Sequence, residues 1–208
     1  MHPGYYHYRG IIVEFFYYIF FYTLIFFWGS IPYSIIVSKA KGVNLLEFGS
    51  KNAGATNVYR ALGLRYAILV FLLDFLKGYI ACLSGYFFFH QNIYVIIAAT
   101  LAILGHTFSP FLKFKGGKGA ATGLGVLLFI QPIFLIAAAL TAAMIIASTR
   151  YVSLATISSS ILVIILSCLP YFSTPLPYQV FLTFIAGYII IKHKANIARL
   201  LHGKENKV

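Results

Sequence analysis

Residues 120–149 read AATGLGVLLFIQPIFLIAAALTAAMIIAST, a run without a single charge. How that run divides decides the architecture. As one helix it would extend about 45 Å at 1.5 Å per residue, against a bilayer hydrocarbon core of about 30 Å. Proline disfavours a helical conformation in the residue before it, so Gln131-Pro132 is the natural point of division. The flanking charges argue the same way. Lys113, Lys115 and Lys118 precede the run, Arg150 follows it, and a basic tail carries Lys192, Lys194, Arg199, Lys204 and Lys207. With a single crossing in 120–149, Arg150 and the tail would lie opposite the three lysines, against the tendency of Lys and Arg to remain on the cytoplasmic side. With two crossings, all the basic segments share one face.

The rest of the chain follows the same pattern. Of 208 residues, 61% are hydrophobic and 10% charged, which marks an integral membrane protein. Phe15 to Ser38 is uncharged and long enough for one crossing, interrupted by Gly29-Ser-Ile-Pro32, the kind of break that lines a cavity or packs on neighbours. No basic n-region or small-residue cleavage site precedes this run, so it reads as a retained helix. Residues 39–65 form a basic loop. Tyr66 to Phe89 is a second run carrying Asp74 and Lys77, which share a helical face and can pair. His90-Gln-Asn92 makes a neutral turn, and a third run starts at Ile93. Tyr151 to Ile191 contains Pro170, Pro175 and Pro177 and reads as two crossings. The expectation is an all-α integral membrane protein of about seven transmembrane helices, two of them short. Its N-terminus is outside and its C-terminus cytoplasmic. It forms one domain over 1–208, with an N-terminal extension (1–10) and a C-terminal tail (203–208).

Four acidic residues, Glu14, Glu47, Asp74 and Glu205, stand against 16 Lys plus Arg. A magnesium-dependent transferase needs several acidic ligands together, and paired-carboxylate acid–base chemistry needs two carboxylates; neither is expected here. Cys82 and Cys168 lie inside apolar runs without metal-like spacing. No metal, cofactor or nucleic acid is expected, and the protein is taken as a monomer among membrane lipids. The positive charge suits anchoring to anionic lipid, anionic substrates, or both.

Four polar segments converge on the basic face. Gly49-Ser-Lys-Asn-Ala-Gly-Ala-Thr-Asn-Val-Tyr-Arg60 is dense in hydrogen-bonding groups, although such mixtures also make ordinary turns. Gly105-His-Thr-Phe-Ser-Pro-Phe-Leu-Lys-Phe-Lys-Gly-Gly-Lys-Gly119 combines glycines, which leave backbone N–H groups open to an anion, with lysines. It is not a Walker A loop: Leu112 stands where the first glycine belongs, and Gly119 where Ser or Thr would hold magnesium. Arg150-Tyr-Val-Ser153 is a short turn with one cation and one hydroxyl. The fourth segment runs from His193-Lys-Ala-Asn196 to Glu205. Of the histidines, His2, His7 and His90 fall on the outer side. His106 and His193 sit at inner helix ends, where few carboxylates compete as proton acceptors.

GSKNAGATNVYR (49–60), GHTFSPFLKFKGGKG (105–119) and HKANIARLLHGKE (193–205) resemble the three signature segments of the PlsY family, bacterial membrane acyltransferases. Gly29–Pro32, Asp74-Phe-Leu-Lys-Gly78 and Arg150–Leu154 add lesser similarities in the same order. The resemblance implies a seven-helix inner-membrane protein with a cytoplasmic active site. It further implies transfer of a fatty acyl group from acyl phosphate to glycerol 3-phosphate, giving 1-acylglycerol 3-phosphate and phosphate in phospholipid synthesis, without CoA or metal. The chain departs from the family at Lys51, where glycine is usual, and at Asn44 to Leu46, where an Asp-x-Arg often stands.

Acyl phosphate is already activated, so the site must hold two phosphorylated molecules and stabilise the leaving phosphate. Catalytic candidates are Ser50, Arg60, His193 and Asn196. Substrate- and phosphate-binding candidates are Asn52, Thr56, Asn57, Lys77, His106, Lys115, Gly116, Gly117, Lys118, Gly119 and Ser153. Lys115 to Gly119 are expected to cradle one phosphate, and Ser50 with Arg60 to hold a second anion. By the resemblance, His193, Asn196 and Ser153 bind glycerol 3-phosphate. The hydroxyl proton can go to His106, to His193 or to the substrate phosphate. A carboxylate near either phosphate is expected to repel it. The rival readings are a transporter of phosphorylated small molecules, which would carry polar groups at mid-membrane in both halves, and a lipid-binding protein without a reaction.

Overall fold

A computed structural model describes the backbone of residues 3–208 and side chains from Glu14 onward. The outward placing of His2 and His7 lies outside the described residues. The described residues form ten α-helices: α1 (Pro3–Ser30), α2 (Tyr33–Lys39), α3 (Ala55–Leu62), α4 (Leu64–Phe89), α5 (Asn92–Thr107), α6 (Ala120–Ile130), α7 (Pro132–Thr149), α8 (Val152–Cys168), α9 (Leu176–Lys192) and α10 (Lys194–Leu201). Among the described residues there is no strand.

Each helix break has a local cause. Gln131 leaves helical backbone at φ −152°, and Pro132 opens α7 where its missing N–H costs nothing. At Pro32 the chain bends by 43° between α1 and α2. His90 and Arg150 end α4 and α7 in left-handed backbone. The basic loop at 39–65 is not loop throughout. Gly54 and Gly63 bracket the amphipathic α3, whose apolar side (Val58, fully buried) packs under residues the sequence pattern presents as polar.

By length and apolar composition α4, α7 and the stretch Asn92–Leu112 can each cross a membrane, and the bent pairs α1–α2 and α9–α10 add two further candidates. Helices α6 and α8 are apolar but shorter. α4 forms the centre, packed on α5 and α6, while α1 packs on α5. These crossings are close because glycines allow it. A Cβ on Gly78 would strike the Thr122 carbonyl, and one on Gly125 the Phe75 carbonyl. Such small-residue contact replaces the hydrophobic drive that helices lack in lipid. Large apolar side chains such as Phe20, Met144, Phe184 and Ile191 face outward, as a lipid-exposed surface requires.

Candidate active site

The first wall is built by one asparagine. Asn57, 1% exposed, accepts from the Ser50 N–H at 3.0 Å and donates to the Leu45 and Phe48 carbonyls at 3.1 and 3.0 Å. Its amide is therefore spent on folding the 45–50 loop, and its place in the site is that of a clamp. The clamp presents Ser50, Asn52 and Thr56 to a cavity and puts Arg60 one turn further along α3. Lys51 adopts φ 54°, a left-handed backbone, at the position where the family resemblance expects glycine.

The glycine–lysine loop also differs from the expected cradle. Gly116 N–H donates to Thr107 O at 3.1 Å and Gly117 N–H to His106 O at 3.0 Å. Both donors thus satisfy carbonyls that the end of α5 would otherwise leave open, and are not available to an anion. Lys115 is exposed. None of Lys115, Gly116 and Gly117 lines that cavity, whereas Lys118 and Gly119 do. Gly119, at φ 83°, turns the chain into α6, and Ala120 and Ala121 of the first α6 turn join the lining. The backbone that faces the cavity at this wall is accordingly the N-terminal turn of α6, which carries partial positive charge.

A third wall comes from the other half of the chain. α9 and α10 meet at His193 with a bend of 56°. The His193 Nδ1 lies 2.7 Å from the Ile189 carbonyl, which can only accept, so Nδ1 carries the proton and Nε2 is an acceptor. Burial pushes the imidazole down to about 4, so the ring is neutral at pH 7. Lys118 Nζ donates to Asn196 Oδ1. Burial, and next the Arg199 charge, lowers the Lys118 ammonium to about 8.

The tail then folds back. Glu205 accepts from Ser153 Oγ at 3.0 Å, Asn196 Nδ2 at 2.7 Å and Arg199 Nε at 2.7 Å. Burial by itself raises this carboxyl, but the Arg199, Asn196 and Ser153 hydrogen bonds outweigh that and hold it below the usual range. Arg60 Nη2 donates to the Asn206 carbonyl at 3.0 Å, and Val208 N–H to the Arg150 carbonyl at 3.0 Å.

These walls enclose a cavity of about 240 Å³. It unites Ser50, Asn52, Thr56, Asn57, Arg60, His106, Lys118, Gly119, Ser153, His193 and Asn196, all candidates from the sequence. Lys77 is outside it: its Nζ lies 2.7 Å from Asp74 Oδ1 and donates also to the Ile31 carbonyl. Two carboxylates line the cavity, Asp74 and Glu205, although a carboxylate near either phosphate is expected to repel it. Each is matched by cations, Lys77 for Asp74 and Arg199 for Glu205, so neither presents free negative charge. Glu205 was not among the sequence candidates; its one legible signal is that it closes the third signature segment. Ala120, Leu124, Ala142 and Thr156 are shared between the wall of this cavity and that of an adjoining apolar cleft between α6, α7, α8 and α9.

The family model for glycerol-3-phosphate acyltransferase matches residues 19–203. A glycerol-3-phosphate acyltransferase of Fusobacterium nucleatum is 42% identical over 189 residues, covering 90% of this chain and 96% of its own. Two crystal structures of PlsY (YgiH), an integral membrane glycerol 3-phosphate acyltransferase, superpose at 37% identity. The glycerol 3-phosphate form has a TM-score of 0.85, covering 92% of this chain and 95% of that one. The lysophosphatidic acid form has a TM-score of 0.82, covering 91% and 94%.

Proposed function

The chain belongs to the glycerol-3-phosphate acyltransferase family, and from that premise we propose that it acylates glycerol 3-phosphate in phospholipid synthesis with acyl phosphate as donor. One observation carries this: a pocket walled by Arg60, Lys118 and the α6 N-terminus shares the wall residues Ala120, Leu124, Ala142 and Thr156 with an adjoining apolar cleft. An amphiphile with a phosphate head and an acyl tail matches that division, and the polar half leaves space for a second, hydrophilic phosphorylated molecule. The product is 1-acylglycerol 3-phosphate.

In this mechanism the hydroxyl oxygen of glycerol 3-phosphate attacks the acyl carbon. A carbon–oxygen ester bond forms, the bond from that carbon to the bridging phosphate oxygen breaks, and phosphate leaves. Lys118, Arg60 and the α6 N-terminus stabilise the charge that grows on the phosphate. Arg60 exchanges the Asn206 carbonyl for a phosphate oxygen, a stronger charge-assisted bond. His193, neutral with Nε2 unprotonated, accepts a hydrogen bond from the attacking hydroxyl and orients it. An imidazole at about 4 is a weak base, so the proton passes to a phosphate oxygen, whose second ionisation lies about 6 in a phosphomonoester. This step does not require His106. Ser50 and Asn52 complete the polar wall.

The reading further takes the chain through seven crossings, with the N-terminus outside and the site on the cytoplasmic face of the inner membrane. Helices α1 with α2, α4, α5, α6, α7, α8 and α9 supply the seven, α6 and α8 being the short ones. The chain acts as a monomer in this scheme. The test is purified protein with acyl phosphate and glycerol 3-phosphate, without CoA or added metal. Phosphate release that depends on glycerol 3-phosphate is the expected result; release only when acyl-CoA is supplied would overturn the donor assignment.

A further inference from the structure

Asp74, Lys77 and His106 form a buried cluster that the transfer step leaves unused. Asp74 is 2% exposed, Lys77 1% and His106 9%. Asp74 Oδ1 lies 2.7 Å from Lys77 Nζ and 3.5 Å from His106 Nδ1. Lys77 also donates to the Ile31 carbonyl in the break between α1 and α2, and stands 4.7 Å from the centre of the Tyr33 ring. On its far side, the imidazole abuts Gly117: a Cβ there would strike His106 Nε2 and the Ala53 carbonyl.

A charged pair inside a membrane helix is costly, and replacing a buried pair by apolar groups of similar volume is often neutral or stabilising. Stability alone therefore gives no reason for this one. What the cluster does have is a place in a chain of contacts. It ties the α1–α2 break to α4, α4 to the end of α5, and α5 through His106 to the glycine loop. His106 meets that loop twice, by its ring at Gly117 and by its carbonyl, which accepts the Gly117 N–H at 3.0 Å. The next residue is Lys118, followed by the α6 N-terminus.

We propose that Asp74, Lys77 and His106 are positioning residues: Asp74, held by Lys77, fixes the imidazole against Gly117 and thereby sets Lys118 and the first turn of α6 for the phosphate. His106 is then a strut. Its Nδ1 faces Asp74 and its Nε2 edge abuts Gly117, so the ring is held between the two.

This rests on the acyl-transfer reading, which wild-type turnover tests separately; the variants below are measured against that turnover. In full-length protein, Asp74→Leu with Lys77→Met removes the hold without leaving a lone charge. The expected result is a KM for a phosphorylated substrate raised about tenfold, with kcat within about threefold. Asp74→Asn with Lys77→Met keeps an oxygen facing His106 and should return KM to within about threefold of wild type. A purely structural role would make the two double variants equally impaired, and that result overturns the proposal. So does a fall in kcat at unchanged KM. Should the leucine variant not fold, His106→Leu leaves the ion pair intact and should show the same rise in KM; an unaltered KM there is equally fatal.

Discussion

Asn196 Nδ2 donates to Glu205 Oε1 at 2.7 Å, while Oδ1 of the same amide accepts from Lys118. One side chain therefore orients the lysine on one wall of the cavity by leaning on a carboxylate from the tail. Ser153 and Arg199 lean on that carboxylate too. Glu205→Ala would leave three donors without their acceptor, at about 1–3 kcal/mol for each buried one. A lowered thermal midpoint in detergent, together with reduced turnover, is expected. A midpoint equal to wild type would show that the tail is dispensable.

Arg60 and Lys118 carry the positive charge of the cavity. Replacing either by alanine should reduce kcat/KM at least about a hundredfold, corresponding to about 3 kcal/mol of transition-state stabilisation. Steady-state kinetics of each variant check this. Near-normal turnover removes that residue from the site.

In the proposed step Lys118 acts as an ammonium and His193 as a neutral ring. The free enzyme should thus be competent above about 4, where His193 loses its proton, and below about 8, where Lys118 keeps its own. As pH rises through 8, kcat/KM should fall, since that parameter follows the free enzyme. Lys118→Arg, which stays charged, should move this alkaline limb upward whatever it does to the plateau. A limb that does not move would assign it to another group.

Lys51 holds φ 54° in a loop clamped by Asn57. Left-handed backbone costs a residue with a Cβ about 1–2 kcal/mol, part of which glycine gives back as unfolded-state entropy. Lys51→Gly should raise the thermal midpoint slightly, by up to about 1 kcal/mol of stability, with turnover retained. A clear fall would mean that the lysine side chain makes a contact of its own.

Ala139 and Ala142 line the apolar cleft, where a larger side chain would take up room. Ala142→Phe should depress turnover of long-chain acyl phosphates far more than of short-chain ones, by about tenfold or more. Rates across a series of donor lengths check it; a uniform loss would place the acyl chain elsewhere.

Much of the fold is legible in the residues. Gln131-Pro132, Gly29–Pro32 and the neutral turn at His90 end helices because proline and left-handed backbone act locally. Helix α3 was not legible, because polar spacing in a short segment between glycines reads as turn until Val58 finds something to pack against. Residues of all three signature segments also line one cavity. They did not say which atoms face it. Asn57, Gly116 and Gly117 are all in the motifs, yet their hydrogen bonds are spent on carbonyls of the protein itself.

What the sequence alone determined is therefore what depends on neighbours along the chain: the membrane-protein class, the helix ends, and the gathering of cations in a few segments. Tertiary structure decided which donors remain free. Ser153 meets Glu205 across 52 residues and Lys118 meets Asn196 across 78, so neither pairing leaves a periodicity to read. A buried polar group must find a partner somewhere, and which partner it finds depends on how distant helices pack.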